Sequence, residues 1–275
     1  MDMEQLIKAA LAEDIGIGDI TTESIIPADA AGSAVIVAKE PLVLAGLDVA
    51  GQVFAMLDPD CRVVTDFSDG QAVETGTTVF SVAGRMRALL QGERTALNFV
   101  QRLSGIATLT RSYAEILAGS GVRLVDTRKT TPGWRALEKA AVRSGGGHNH
   151  RFGLFDGILI KDNHIVACGG ITAAIERARA NAHHLVKIEI EVSDVAGAEE
   201  AAAAGADVIM LDNMATATIK EAVGRINGRA LIEVSGSVTR DRLAELAAAG
   251  VDIISAGSLT HSARAMDLSM RITAG

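Results

Sequence analysis

The feature that most limits what this chain can become is a repeated phrase in its second half. Gly205-Ala206-Asp207-Val208-Ile209 returns as Gly250-Val251-Asp252-Ile253-Ile254. Each copy comes after an Ala-rich helical stretch, and each glycine stands where a helix ends in the left-handed conformation. Over residues 122–258 short apolar runs alternate with such stretches. The runs are Val122–Asp126, Gly157–Ile160, Leu185–Glu191, Val208–Leu211, Ala230–Val234 and Asp252–Ser255, with helices such as Ile171–Ala180, Ala196–Ala204 and Arg240–Ala249 between them. Regular β-α punctuation predicts parallel strands, either a barrel or a doubly wound sheet. The segment is short for eight β-α units, so six or seven strands and an incomplete barrel are expected.

Each strand ends in polar residues. In order there are Asp126-Thr127-Arg128-Lys129, then Lys161-Asp162-Asn163, Glu191, Asp212-Asn213, Ser235-Gly236-Ser237 and Ala256-Gly257-Ser258. In a parallel α/β barrel these positions share one rim, where such enzymes build their sites. The last two turns suit phosphate held by backbone N–H groups, although Gly-Ser turns also serve as plain connections. Between Arg123 and Arg151 stand seven Lys/Arg and two acids, Asp126 and Glu138, in a chain with 26 basic and 34 acidic side chains and a net charge of -8. A local cationic patch rich in arginine points to a small, multiply charged anion, because guanidinium matches carboxylate and phosphate in two-point contacts. Nucleic acid fits less well, with aromatic residues at 3% and few stacking platforms.

The first half has a different grammar. Met3–Ala12 reads as an amphipathic helix, Ala34–Ala38 and Arg62–Asp66 as strands, and Arg87–Ala118 as mainly helical. The turn-rich phrase Asp69–Phe80 is similar to hairpins of lipoyl and biotinyl carriers. A carrier needs a hairpin lysine and none lies between Lys39 and Lys129, so a β-rich packing domain is expected. The start Met1-Asp2-Met3-Glu4 is acidic, unlike a signal peptide. No apolar run reaches the roughly 20 residues of a membrane span. Cys61 and Cys168 form no CxxC pair, which suggests reduced thiols and a cytoplasmic location.

Individual residues leave alternatives open. Lys161 ends an apolar strand and could form a Schiff base, but beside anionic Glu191 and Asp212 it is expected to stay cationic and hold a phosphate or carboxylate. Glu191 and Asp212 suit Mg²⁺ with most of its waters kept, ribose hydroxyls, or a counter-ion role, and Glu189 lies on the same strand face as Glu191. His148-x-His150 invites a zinc reading. No further ligand stands nearby and Arg151 would repel a cation, so an imidazole assisting an anionic ligand is expected instead. Arg94 alone reads as a surface or packing arginine.

Taken together these residues resemble the quinolinate phosphoribosyltransferases, also called carboxylating nicotinate-nucleotide pyrophosphorylases. The likeness runs nearly end to end, through Gly18–Thr22, Gly92–Asn98, Arg102–Thr108, Thr127–Gly133, Gly145–Arg151, Ile160–His164, Glu189–Val192, Leu211–Asn213, Glu233–Gly236 and Gly257–His261. A paralogue associated with molybdenum transport shares the Thr-Arg-Lys-Thr phrase but lacks the Ile-Lys-Asp-Asn-His element, intact here at 160–164. Ser237 departs from the pattern, standing where many members carry Asn.

The resemblance implies an N-terminal α/β sandwich over 1–110, joined by 262–275, and an open α/β barrel over 111–261. It implies a homodimer or larger assembly with Arg94 supplied by the partner subunit. Its substrates are quinolinate and phosphoribosyl pyrophosphate, with no nucleic acid or membrane. The implied contacts are Arg94, Thr127, Arg128, Lys129, His150, Arg151, Lys161, Glu191, Asp212 and His261, with phosphate on Ser235-Gly236-Ser237 and Ala256-Gly257-Ser258. Lys129, Lys161, Glu191 and Asp212 carry the chemistry, and Glu191 and Asp212 hold Mg²⁺, directly or through water. A Schiff-base aldolase and a non-catalytic sensor of phosphoribosyl pyrophosphate or a dicarboxylate remain the rival readings.

Overall fold

The computed structural model describes residues 2–274. Two compact units emerge: Met1–Arg111 with Thr130–Gly146 and Thr260–Gly275, and Ser112–Lys129 with Gly147–Leu259.

In the first unit the strands are β1 (Ala31–Ala38), β2 (Leu42–Val43), β3 (Arg62–Val64), β4 (Ala72–Val73) and β5 (Thr78–Arg85). A four-stranded sheet runs β12-β1-β5-β3, where β12 is the C-terminal strand Leu268–Ala274, and β2 pairs with β4. All these pairings are antiparallel. The helix Leu47–Leu57 buries Leu47, Val49, Ala50, Val53 and Phe54, and the Phe54 ring lies 6.1 Å from that of Phe80 on β5. The first helix, Met3–Ile15, is fixed at its start by a reciprocal Asp2/Gln5 capping box, which satisfies two orphan donors at once.

Thr130–Gly146 was expected within the barrel domain and instead groups with the first unit. The reason is a set of side-chain anchors. Trp134 stacks on Phe99 with ring centroids 4.5 Å apart. Glu138, fully buried, accepts from the Thr131 hydroxyl at 2.8 Å and from the Thr131 N–H at 3.2 Å, and faces Arg102 at 3.5 Å. Arg102 also donates to the carbonyls of Ala263 and Thr260, so one guanidinium ties together three separate stretches of chain.

The second unit is built on six parallel strands: β6 (Arg123–Val125), β7 (Ile158–Ile160), β8 (Ile188–Val192), β9 (Val208–Asp212), β10 (Leu231–Ser235) and β11 (Ile253–Ser255). Their order is β6-β11-β10-β9-β8-β7. The sheet is an incomplete barrel, as the sequence led one to expect, with β6 and β7 left unpaired to each other. Beside β6 a lone parallel bridge joins Val125 to His148, the vestige of a seventh strand.

The repeated phrase acquires a physical meaning here. Gly205 and Gly250 adopt φ of 82° and 86°, so each ends its helix where a Cβ would be strained. The aspartate two residues on bonds the neighbouring strand twice. Asp207 donates its N–H to Ile188 O and accepts the Ile188 N–H at 2.8 Å. Asp252 does the same with Ile232. The repeat therefore sets register between consecutive strands. The helical stretch expected at Arg240–Ala249 is shorter, a 3-10 turn Arg240–Arg242 followed by the helix Leu243–Ala247.

Glu138→Ala would take away the carboxylate facing Arg102 and the acceptor of the two Thr131 donors. A loss of about 3 kcal/mol or more in unfolding free energy is expected, the scale for breaking a buried pair. Urea unfolding followed by circular dichroism measures it.

Candidate functional site

Strand β8 reads Ile-Glu-Ile-Glu-Val. Its alternation places Ile188, Ile190 and Val192 on one face and Glu189 and Glu191 on the other. Neither face of this strand is open to water, so the acids are a costly choice that pairing or chemistry must offset. On β9 and β10 the corresponding face presents Met210 and Asp212, and Glu233 and Ser235. These side chains enclose a cavity of about 590 Å³.

The cationic side of the cavity comes from the two segments flanking β6. Thr127, Arg128 and Lys129 leave its end, and His150 and Arg151 arrive beside it; all five line the cavity. Asp126 holds the two segments together. It is fully buried and accepts the His150 N–H at 2.9 Å and the Asn149 amide at 2.5 Å. The backbone agrees, since His148 N donates to Leu124 O and Asp126 N to His148 O. Arg151 donates to Gly157 O at 3.1 Å. Its guanidinium is held below its ordinary pKa chiefly by burial and secondarily by the like charge of Arg128, so two guanidinium groups share one enclosure. Next to it Asp156 folds the 152–157 loop by accepting the N–H groups of Phe152 and Gly153.

Opposite stand Lys161, Glu191 and Asp212, also lining the cavity. The Lys161 ammonium is bonded to the Glu191 carboxylate, and Asn213 Nδ2 donates to Asp212 at 2.7 Å. The Ser235-Gly236-Ser237 turn completes the wall. Gly236 and Ser237 take φ of 84° and 49° in succession, a turn of the kind whose N–H groups form anion-binding concavities. A Cβ at 236 would collide with the Asn213 side chain. Arg242 braces the turn by donating to Ser237 O at 3.1 Å.

Not every expected residue is gathered here. Arg94 is exposed on the helix Met86–Ala114 and does not line the cavity. Nor do Ala256, Gly257, Ser258 and His261; Ser255 does. The Ser258 hydroxyl is buried with no hydrogen-bond partner. Sequence reasoning missed Asp126 and Glu233 as site residues. Their signal was an acid on a strand otherwise made of buried apolar residues.

Among the described residues one group of three could in principle hold a metal ion, and it is His150, Glu189 and Glu233 rather than Glu191 and Asp212. The histidine argues against a metal there. Its Nδ1 accepts the Arg151 N–H at 2.7 Å, which leaves the proton on Nε2, 3.1 Å from Glu189. A ring in that tautomer donates to a carboxylate and has no lone pair left for a cation. His150 is a hydrogen-bonding wall of the cavity.

An open α/β barrel with paired arginines and a Gly-Ser anion turn at its rim is the architecture of enzymes acting on small phosphorylated anions. Comparison with known proteins narrows this. Residues 19–104 match the family model of the quinolinate phosphoribosyl transferase N-terminal domain and residues 106–271 that of its C-terminal domain. A probable nicotinate-nucleotide pyrophosphorylase (carboxylating) of Bacillus subtilis is 44% identical over 273 residues, covering 99% of this chain and 94% of the relative. Its counterpart in Synechocystis is 47% identical over 265 residues, covering 95% and 90%. The crystal structure of NadC from Streptococcus pyogenes superposes with a TM-score of 0.95 at 44% identity, covering 99% of this chain and 97% of that one. The chain belongs to the quinolinate phosphoribosyltransferase family.

Asp126→Ala would leave the His150 N–H and the Asn149 amide without their acceptor. About 2 kcal/mol of stability should be lost, with weaker binding of any anion that needs Arg151. Unfolding and calorimetric titration with quinolinate read the two effects separately.

Proposed function

We propose that this chain transfers the phosphoribosyl group of phosphoribosyl pyrophosphate to quinolinate with loss of CO₂, giving nicotinate mononucleotide and pyrophosphate for de novo NAD biosynthesis. The observation that carries the reading is that Arg128 and Arg151 line one cavity with Lys161, Glu191 and Asp212. Quinolinate is pyridine-2,3-dicarboxylate. Two adjacent carboxylates on a flat ring match two guanidinium forks, and Lys129 and His150 complete the wall around them.

The pyridine nitrogen attacks C1 of the ribose as pyrophosphate departs, and positive charge builds on the sugar. Glu191 and Asp212 stabilise that charge and accept from ribose hydroxyls. Lys161 and Lys129 neutralise the phosphates. Gly236 and its neighbours offer backbone N–H groups to phosphate. Once quaternised, the ring draws electrons from the 2-carboxylate, which leaves as CO₂.

Mg²⁺ fits this donor set, since both Glu191 and Asp212 present hard carboxylate oxygens; when bound through water by these two it supplies positive charge to the pyrophosphate. The Lys161 ammonium is engaged by the Glu191 carboxylate, which disfavours a Schiff-base aldolase. A sensor has no need of acids facing a ribose. Arg94, exposed on its helix, is assigned to the cavity of a second copy in a homodimer, as the family resemblance supports. The cysteines Cys61 and Cys168 are free, which fits a reducing cytoplasm.

Incubation with quinolinate, phosphoribosyl pyrophosphate and Mg²⁺ should yield nicotinate mononucleotide and CO₂; no product would refute the reading. Arg128→Ala and Arg151→Ala should each lose at least about thirtyfold in kcat/KM for quinolinate, from the roughly 2–5 kcal/mol that a desolvated charge contact is worth. A loss below about fivefold in both would place them at a solvated edge, where a pair contributes about 1 kcal/mol at most. For Glu191→Ala, steady-state kinetics should show kcat falling more than donor affinity.

A further inference from the structure

Decarboxylation leaves an electron pair on the ring carbon, and some group must return a proton to it. None of the cations that hold substrate suits the task, because each is needed to hold an anion. Glu233 is different. Its side chain is 2% exposed, yet it lines the same cavity as Arg128, Arg151 and His150. Its Oε1 is buried and has no hydrogen-bond partner, as has Oε1 of Glu189. Both carboxyl groups sit against the His150 imidazole, and burial together with the neighbouring Glu189 charge favours the protonated form of Glu233.

We infer that Glu233 is the acid that protonates the ring carbon vacated by CO₂. The assignment rests on the quinolinate reading of the cavity. In the step, the electron pair of the broken C–C bond takes the Glu233 proton, a C–H bond forms, and Glu233 is left as a carboxylate. Solvent entering as product leaves reprotonates it. His150 donates from Nε2 to Glu189 at 3.1 Å and lies 3.7 Å from Glu233, so the imidazole sits against both carboxyl groups.

The electrostatics agree. The Glu233 pKa is raised to about 7, first by burial and then by the Glu189 charge. His150 and the Ser255 hydroxyl, from the segment beside β6 and from β11, pull it the other way. Met210 and Ile253, paired with it on β9 and β11, carry no charge. Above its pKa the donor is a carboxylate with no proton to give, so turnover should fall as pH rises through neutrality.

The test compares wild type with Glu233→Gln, with acid-quenched turnover followed by mass spectrometry. Loss of a general acid is worth about a hundredfold or more in rate. Expected are a kcat lower by about that factor, accumulation of the phosphoribosylated dicarboxylate, little change in quinolinate binding by calorimetry, and loss of the basic limb of the kcat profile. A kcat near that of wild type, or a basic limb that persists unchanged, would overturn the inference, as would a loss confined to quinolinate binding. If Glu233→Gln does not fold, Glu189→Gln serves. Removing that neighbouring charge should move the basic limb to lower pH, and an unmoved limb overturns the inference. Wild type that forms no nicotinate mononucleotide would instead sink the quinolinate reading itself.

Discussion

Asp126 is the residue on which the site depends. It is a carboxylate buried at the end of β6, and it receives donors from the segment that returns beside that strand. With the backbone bonds of His148 it fixes the position of His150 and Arg151 relative to Arg128 and Lys129. A buried carboxylate is expensive unless each oxygen is satisfied, and here backbone and amide donors satisfy it. The same cost makes the arrangement specific, since displacement of the 148–151 segment removes two of the carboxylate's donors. The gap in the barrel between β6 and β7 is therefore bridged at the rim by hydrogen bonds instead of a full strand.

A second buried arrangement lies beneath the first. His150 joins the cationic wall to the acids Glu189 and Glu233. Its two nitrogens have opposite duties. One accepts from Arg151, the other donates to Glu189. This places the imidazole between the cationic segment and the two buried acids.

Chain connectivity is less tidy than function. Thr130–Gly146 leaves the barrel unit directly after Lys129 and packs with the first unit through Trp134 and Glu138. The phrase Thr127–Gly133, continuous in sequence, is thus shared between units. The C-terminal strand likewise pairs with β1, which is far from it in sequence.

Much of this was legible beforehand, and for a local reason. Helix ends, strand periodicity and the polar residue after each strand are properties of neighbouring positions, so the repeated Gly-x-Asp phrase and the rim residues Arg128, Lys129, Lys161, Glu191, Asp212 and Ser235–Ser237 could be read from residue order. Legible too was that the sheet would stop short of closing, because chain length limits the number of strands. Tertiary structure alone decided which residues after the strands share the cavity: Ser255 does and Ala256–Ser258 do not. It also decided that Asp126 is a brace, that His150 sits against both Glu189 and Glu233, and that Glu233 is a buried acid lining the cavity. Burial, tautomer and shared protons arise from groups distant in sequence brought together in a medium of low polarity, and no pattern of neighbours along a chain records them.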